Sequence, residues 1–281
     1  MTDDRIENIE IDLLIEAVYR RYGYDFRGYS KNHILRRVRQ FAATQGDSRI
    51  SSLLPEILHN EDLCEALLRE LSITYTEMFR DPFVFKSIRE KVIPWLRTYP
   101  FIRIWVAGCA TGEEAFSLAI LLKEVDLYER STIFATDFND AALKKASEGI
   151  FALDAMRKYT ENYQEAGGTG TFSEYYHAKY DNGVMASELK RNIVFANHNL
   201  VTDAVFSEMH LILCRNVLIY FDTPLQNQVL GIFADSLVRG GFLCLGTNED
   251  LNFLEARDLF DRIDSNSRIF QMHLAEKPDK T

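Results

Sequence analysis

Paired cysteines are missing from this sequence. Cys64, Cys109, Cys214 and Cys244 stand far apart with no C-x-x-C spacing, which argues against a disulfide framework or a zinc site and leaves buried free thiols as the expectation. Long apolar runs are also absent, so no membrane insertion is expected. The first residues, MTDDRIENIEID, are acidic without an apolar centre, so they are not read as a signal peptide and a cytoplasmic protein is expected. Positive charge is in deficit, with 32 Lys and Arg against 42 Asp and Glu and a net charge of -10. That disfavours nucleic-acid binding, which relies on neutralising phosphates, and any basic surface must be local. No Ser-His-Asp or Cys-His arrangement stands out, no metal site is expected, and no long coiled-coil pattern argues against a monomer.

What is present is an ordinary globular composition, 47% hydrophobic and 26% charged over 281 residues, enough for one large or two moderate domains. Its centre is IRIWVAGCATGEEAFSLAILL at 102–122. Ile102, Ile104, Trp105 and Val106 read as a buried strand and Gly108 to Gly112 as a tight loop. From Glu113 a helix follows, with Phe116, Leu118, Ala119 and Leu122 turned inward. The glycines are expected where backbone closes around a ligand and where the turn needs unusual φ/ψ. The spacing is G-x-x-x-G rather than G-x-G-x-x-G, and Glu113 and Glu114 put carboxylates where a pyrophosphate would sit. A ligand carrying hydroxyls or positive charge fits better, and S-adenosylmethionine answers that description.

Residues 1–70 read as helical. Arg20, Arg21, Arg27, Lys31, Arg36, Arg37 and Arg39 stand against the single Asp25, either a solvated face or a docking surface for an acidic partner. LSITYTEMFRDP, from Leu71 to Pro82, reads as a linker or as one wall of a pocket, the linker being favoured by its polarity. A helix is expected over 84–96. Thr132 to Thr136 reads as the second strand, with Asp137 at its end placed to accept ribose hydroxyls or to cap the helix opened by Asn139. The aromatic-rich stretch 151–190, with a Gly167-Gly168-Thr169-Gly170 hinge, breaks the alternation and reads as an insertion. It serves as a lid, a peptide-binding surface or its own small core. Further strands are expected at 193–196, 211–214, 242–245 and 267–273. A helix from Pro224 should end at Gly240-Gly241, and a polar tail should follow the last strand. His198 is read as structural, and Arg215, Asn216 and Tyr220 lie past a strand's C-terminal end, where open α/β sheets bind ligands.

Taken in order, TYTEMFRDP at 74–82, GCATGEEAFSLA at 108–119, ATDFNDAALKKASEGIF at 135–151, NL at 199–200, CRNVLIYFD at 214–222 and GGFLCLGTNEDL at 240–251 resemble the CheR family of chemotaxis receptor methyltransferases. The resemblance covers nearly the whole chain. It implies a helical domain at 1–70 and a doubly wound, Rossmann-like class I α/β methyltransferase domain at 71–281, with a small β-subdomain inserted at about 151–190. It further implies that Thr76, Arg80, Gly108, Glu114, Asp137, Asn199, Leu200, Arg215 and Asn216 line an S-adenosylmethionine site. Thr74 joins them, although many members carry Asn there. Arg80 and Tyr220 would lie nearest the methyl transfer, and Arg36, Arg37 and Arg39 would dock on the cytoplasmic helices of chemoreceptors in membrane arrays. The implied reaction is esterification of receptor glutamates, with S-adenosylhomocysteine as product. A glutamate carboxylate, with a reference pKa of about 4.3, is already ionised at neutral pH and needs no general base. A non-catalytic S-adenosylmethionine-sensing module is the alternative, followed by methylation of a small molecule or RNA.

Overall fold

The computed structural model describes residues 2–46, 49–72, 74–205, 207–252 and 254–274; the polar tail expected beyond them lies outside that set. The chain divides into two compact units, Met1–Ile73 with Ile219–Gln228, and Thr74–Leu218 with Val229–Thr281.

The first unit holds helices α1 (Thr2–Tyr22), α2 (Lys31–Thr44), α3 (Leu53–His59) and α4 (Glu61–Leu71). Apolar residues at three- and four-residue steps form its core, including Leu14 and Val18 of α1, Ile34, Val38 and Phe41 of α2, and Leu67 and Leu71 of α4. Leu13 points outward. Asn60 caps α4, its side chain accepting from the Leu63 N–H. The segment from Ile219 completes this unit. Ser30 N–H donates to the Tyr220 carbonyl and Asp222 N–H to that of Gly28, both at 2.8 Å. The Tyr29 and Phe221 rings meet edge to face at 4.9 Å.

The second unit opens with α5 (Pro82–Ser87), a π turn at Ile88–Val92 and α6 (Ile93–Leu96). Then come β1 (Ile102–Ala107), α7 (Glu113–Glu124), β2 (Ser131–Asp137) and α8 (Asp140–Glu148). The insertion follows as β3 (Ile150–Ala152), α9 (Ala155–Glu165), β4 (Tyr176–Lys179) and β5 (Asn182–Met185), its strands ordered β3-β5-β4 in an antiparallel sheet. The main sheet resumes with β6 (Ile193–Asn197), β7 (Met209–Cys214), α10 (Thr223–Ser236), β8 (Leu237–Leu245), β9 (Phe260–Asp264) and β10 (Ile269–Met272). Its order is β6-β2-β1-β7-β8-β10-β9, parallel except that β10 runs against both neighbours. The fold is a helical unit with a Rossmann-like α/β sheet carrying a small antiparallel sheet, in agreement with the sequence reading.

Three local expectations change. Gly240 and Gly241 lie inside β8 rather than ending α10. The strand β9 carried no sequence expectation and pairs antiparallel with β10. The glycine segment at 167–170 is pinned rather than a hinge, because the buried Glu124 carboxylate accepts from Thr169 N–H at 2.8 Å, from Gly170 N–H at 3.3 Å and from the Tyr163 hydroxyl.

Candidate active site

The strand order reverses between β1 and β7, and open α/β sheets bind ligands at the carboxyl ends of strands at such a switch. Register sets the neighbours there. Val106 pairs with Leu213 and Ala107 with Thr136, so β1, β2 and β7 end side by side, with Asp137 closing β2 and Gly108 and Arg215 opening the loops after β1 and β7.

Gly108 and Gly112 have φ of +76° and +93°, which confirms the conformational reason for glycine. The steric reason differs from the expected one. A Cβ at Gly108 would lie 2.6 Å from Val217 Cγ2, and one at Gly112 would lie 2.9 Å from Ala146 Cβ. These glycines let the loop close on its own protein neighbours. Gly108 and Cys109 N–H both donate to the Thr136 carbonyl, at 2.8 and 2.9 Å.

Asp137 ties the same loop. Its Oδ2 accepts from Ala110 N–H and its Oδ1 from Asn139 N–H, each at 2.9 Å, and burial pushes its carboxyl above the usual range. A carboxylate has about four acceptor positions, so capacity remains for ribose hydroxyls. Asn139 itself caps α8, accepting from Ala142 N–H at 3.1 Å.

The two glutamates of the turn part company. Glu113 turns inward, receives the Thr111 hydroxyl at 2.7 Å and the Tyr159 hydroxyl at 3.4 Å, and burial pushes it up to about 7. Glu114 faces Arg215, whose side chain is 1% exposed. Arg215 Nη1 donates to Glu114 Oε2 at 2.6 Å, and Nη2 donates to Asp81 Oδ2 at 2.7 Å and to the Arg80 carbonyl at 3.0 Å. Burial works against the guanidinium charge, but the two carboxylates outweigh it and hold the Arg215 pKa above its ordinary value. Arg215 Nε and Asn216 Oδ1 are buried without a hydrogen-bond partner.

From Thr74 on, the polar segment before α5 is packed into the second unit rather than left as a free linker. Met78 and Phe79 are fully buried. Phe79 N–H donates to Ser117 Oγ at 2.8 Å, and Asn162 of α9 donates to the Met78 carbonyl at 3.0 Å. Phe79, Asp81, Ala110 and Asn216 all have φ between +47° and +61°. Left-handed backbone at non-glycine residues is costly and concentrates at functional sites. Thr74 and Thr76 are half-buried. Arg80 reaches the Tyr75 carbonyl at 3.4 Å and stands 6.0 Å from that ring.

Asn199 forms a turn on itself, its Oδ1 accepting from Val201 N–H at 3.0 Å, with Leu200 buried beside it. His198 packs edge to face on Trp105 at 5.2 Å, a structural role as expected. Tyr220 belongs to the helical unit, with its ring 4.6 Å from His33. There Arg37 pairs with Glu70 at 3.1 Å and Arg39 pairs with Glu7, while Arg36 is exposed. Lys31 pairs with Asp12 at 2.8 Å, so acidic residues of α1 offset much of the local positive charge. Sequence reasoning missed Asp81, Ser117 and Glu249. All three stood within quoted motifs, at 74–82, 108–119 and 240–251, but nothing in those motifs singled them out.

The donor set fits S-adenosylmethionine. Two carboxylates around one guanidinium leave net negative charge for a cationic ligand, carboxylates at the start of α7 oppose phosphate, and a buried acceptor on Asn216 lacks a donor.

Comparison with known proteins agrees with this chemistry. Residues 74–269 match the family described as CheR methyltransferase, SAM binding domain, and residues 9–72 match its all-alpha domain. The chain is 48% identical over 275 residues to the putative methyltransferase Cher3 of Pseudomonas putida, covering 96% of this chain and 99% of that one. It is 30% identical over 250 residues to the chemotaxis protein methyltransferase of Listeria innocua, covering 88% and 92%. Among solved structures, the N-methyltransferase NodS of Bradyrhizobium japonicum with S-adenosyl-L-homocysteine aligns with a TM-score of 0.40 at 12% identity, covering 70% of this chain and 88% of that one. On the family match over both units, the chain belongs to the CheR methyltransferases and is an S-adenosylmethionine-dependent methyltransferase.

Proposed function

We propose that this enzyme methylates glutamate side chains on the cytoplasmic helices of chemotaxis receptors, giving glutamate methyl esters and S-adenosylhomocysteine. The observation that carries the reading is the buried Arg215 held between Glu114 and Asp81 at the sheet switch point, in a chain whose family acts in chemotaxis methylation. S-adenosylmethionine supplies an electrophilic methyl group. The residues proposed to hold it are Thr74, Thr76, Arg80, Gly108, Glu114, Asp137, Asn199, Leu200, Arg215 and Asn216. Asp137 accepts hydroxyls with its remaining acceptor positions, and the Glu114 and Asp81 carboxylates favour positive charge near Arg215.

The acceptor glutamate is ionised at neutral pH, with a reference pKa of about 4.3, so the protein has no proton to remove. Its task is to align the acceptor oxygen and to exclude the water that would solvate it. Arg80 orients the substrate carboxylate, and Tyr220 supplies a hydrogen bond beside the transferring group. Receptor docking falls to Arg36 first. Arg37 and Arg39 join it by exchanging Glu70 and Glu7 for receptor carboxylates, at low cost for Arg39, which is exposed, because exposed ion pairs contribute only about 0–1 kcal/mol.

The test is transfer of labelled methyl from S-adenosylmethionine into membranes carrying the host's receptors, with Arg80→Ala and Tyr220→Phe as controls. Base-labile label on a receptor band, lost in the controls, is the expected outcome. Tight cofactor binding with no label on any receptor would replace this reading with cofactor sensing.

A further inference from the structure

The loop that carries Arg215 and Asn216 is held from behind by a residue outside that loop. After β8, Glu249 N–H donates to the Gly246 carbonyl at 2.9 Å and closes a short turn. The turn points the Glu249 side chain, 4% exposed, at the loop after β7. There its Oε2 accepts from Asn216 N–H at 3.0 Å and from Gly246 N–H at 2.5 Å, and its Oε1 accepts from Val217 N–H at 2.8 Å. Two of these donors are the consecutive amides on either side of the left-handed Asn216, a concave arrangement of N–H groups that suits an anion. Asn216 has φ +61° without being glycine, a conformation that persists only when its surroundings over-determine it. The turn also requires Gly246, because a Cβ there would lie 2.6 Å from Glu249 Oε2 and 2.7 Å from Asn216 N.

On its other side the same loop sends Arg215 to Glu114 and Asp81. Movement at Asn216 therefore moves both the guanidinium and the unpartnered Asn216 Oδ1.

We infer that Glu249 is a positioning residue, whose buried carboxylate holds the Asn216 backbone in the left-handed conformation that presents Arg215 and Asn216 to the cofactor. This rests on the proposal that those two residues line the cofactor site. The ionised carboxylate is what the geometry needs. Glutamine has the same shape but one carbonyl oxygen, so its amide N–H₂ would confront a backbone N–H at either Val217 or Asn216.

The experiment compares wild type with Glu249→Gln for S-adenosylhomocysteine binding by calorimetry and for methyl-transfer kinetics. Both are read below the melting transition of each protein. We expect the Kd for S-adenosylhomocysteine and the KM for S-adenosylmethionine to rise about tenfold or more, with the KM for receptor unchanged. A variant that melts earlier yet binds the cofactor as wild type does would make Glu249 merely structural and overturn the inference. Wild type that binds cofactor but labels no receptor leaves the inference standing and removes the receptor reading. Wild type that binds no cofactor overturns both. If Glu249→Gln does not fold, amide exchange in the wild type decides. Slow exchange at Asn216 and Val217, slowed further by S-adenosylhomocysteine, supports the clamp; exchange as fast as in exposed loops overturns it.

Discussion

Burial gives neighbouring carboxyls in one turn different chemistry. Glu113 is desolvated and pushed up to about 7, so the fold favours its protonated form. The sign follows from linkage. Between the ordinary glutamate range and about 7, the folded chain holds a proton that the unfolded chain has released, so stability falls as pH rises through this window. The stabilisation is fully present in acid and lost above the window, amounting to a few kcal/mol at about 1.4 kcal/mol per pKa unit. Glu113→Gln keeps the shape without the charge. It should melt higher than wild type at pH 8 and gain little at pH 5, which thermal melts at the two pH values would check. Arg215 presents the opposite case, a buried cation whose removal strands Glu114 and Asp81. Arg215→Met should cost roughly 3–5 kcal/mol because two carboxylates lose their partner. Denaturant unfolding would measure it, and a loss below about 1 kcal/mol would contradict the picture.

At the level of elements, the inserted α9 packs against the 74–81 segment. Asn162 is 3% exposed and donates to the Met78 carbonyl, while Tyr163 packs on Phe79 with ring centroids 5.4 Å apart. Asn162→Leu should leave that carbonyl unsatisfied and cost about 1–3 kcal/mol. It should also weaken cofactor binding by loosening the backbone at Phe79 and Asp81, both read by urea melts with and without S-adenosylhomocysteine.

These elements also show what was legible in advance. The β1 turn and α7 were readable because an apolar run, glycines and helical spacing coincide within a few residues. The placing of Asp137 and Arg215 at strand ends was readable because each follows a short apolar run of strand length. The packing of 74–81 was not, since its polarity imitates a linker and its burial comes from partners far along the chain. Phe79 and Asp81 adopt left-handed backbone with no glycine to announce it. Gly240 and Gly241 imitated a helix stop while lying in β8. Glu249 stood within the quoted motif at 240–251, but its three backbone donors leave no trace in a sequence.

Across the helical unit, charge is distributed so that α1 and α4 answer α2. With Lys31, Arg37 and Arg39 engaged by Asp12, Glu70 and Glu7, Arg36 is the exposed cation of α2 outside those pairs. Arg36→Glu should reduce receptor methylation several-fold while leaving cofactor affinity unchanged. The defect should shrink at high salt, because such attraction is screened. A lack of effect in a salt series would move docking away from α2. The helical unit also depends on Ile219–Gln228. A chain beginning at residue 74 would uncover Phe221 and Leu225, which are 6% and 5% exposed in the full chain. Burial of such side chains contributes about 1.5–3 kcal/mol each. That fragment should melt lower and bind more hydrophobic dye than the full chain.

The discontinuous helical unit has a consequence for biosynthesis. Its first segment leaves the ribosome by Ile73, and its last piece begins only at Ile219. At roughly 5–20 residues per second, that gap lasts on the order of ten seconds. During that time α1 to α4 wait with an incomplete apolar surface while the strands up to β7 are translated. Completion of the amino-terminal helices is therefore tied to the appearance of the sheet, and a nascent chain arrested before Ile219 should be a chaperone client rather than a finished helical domain.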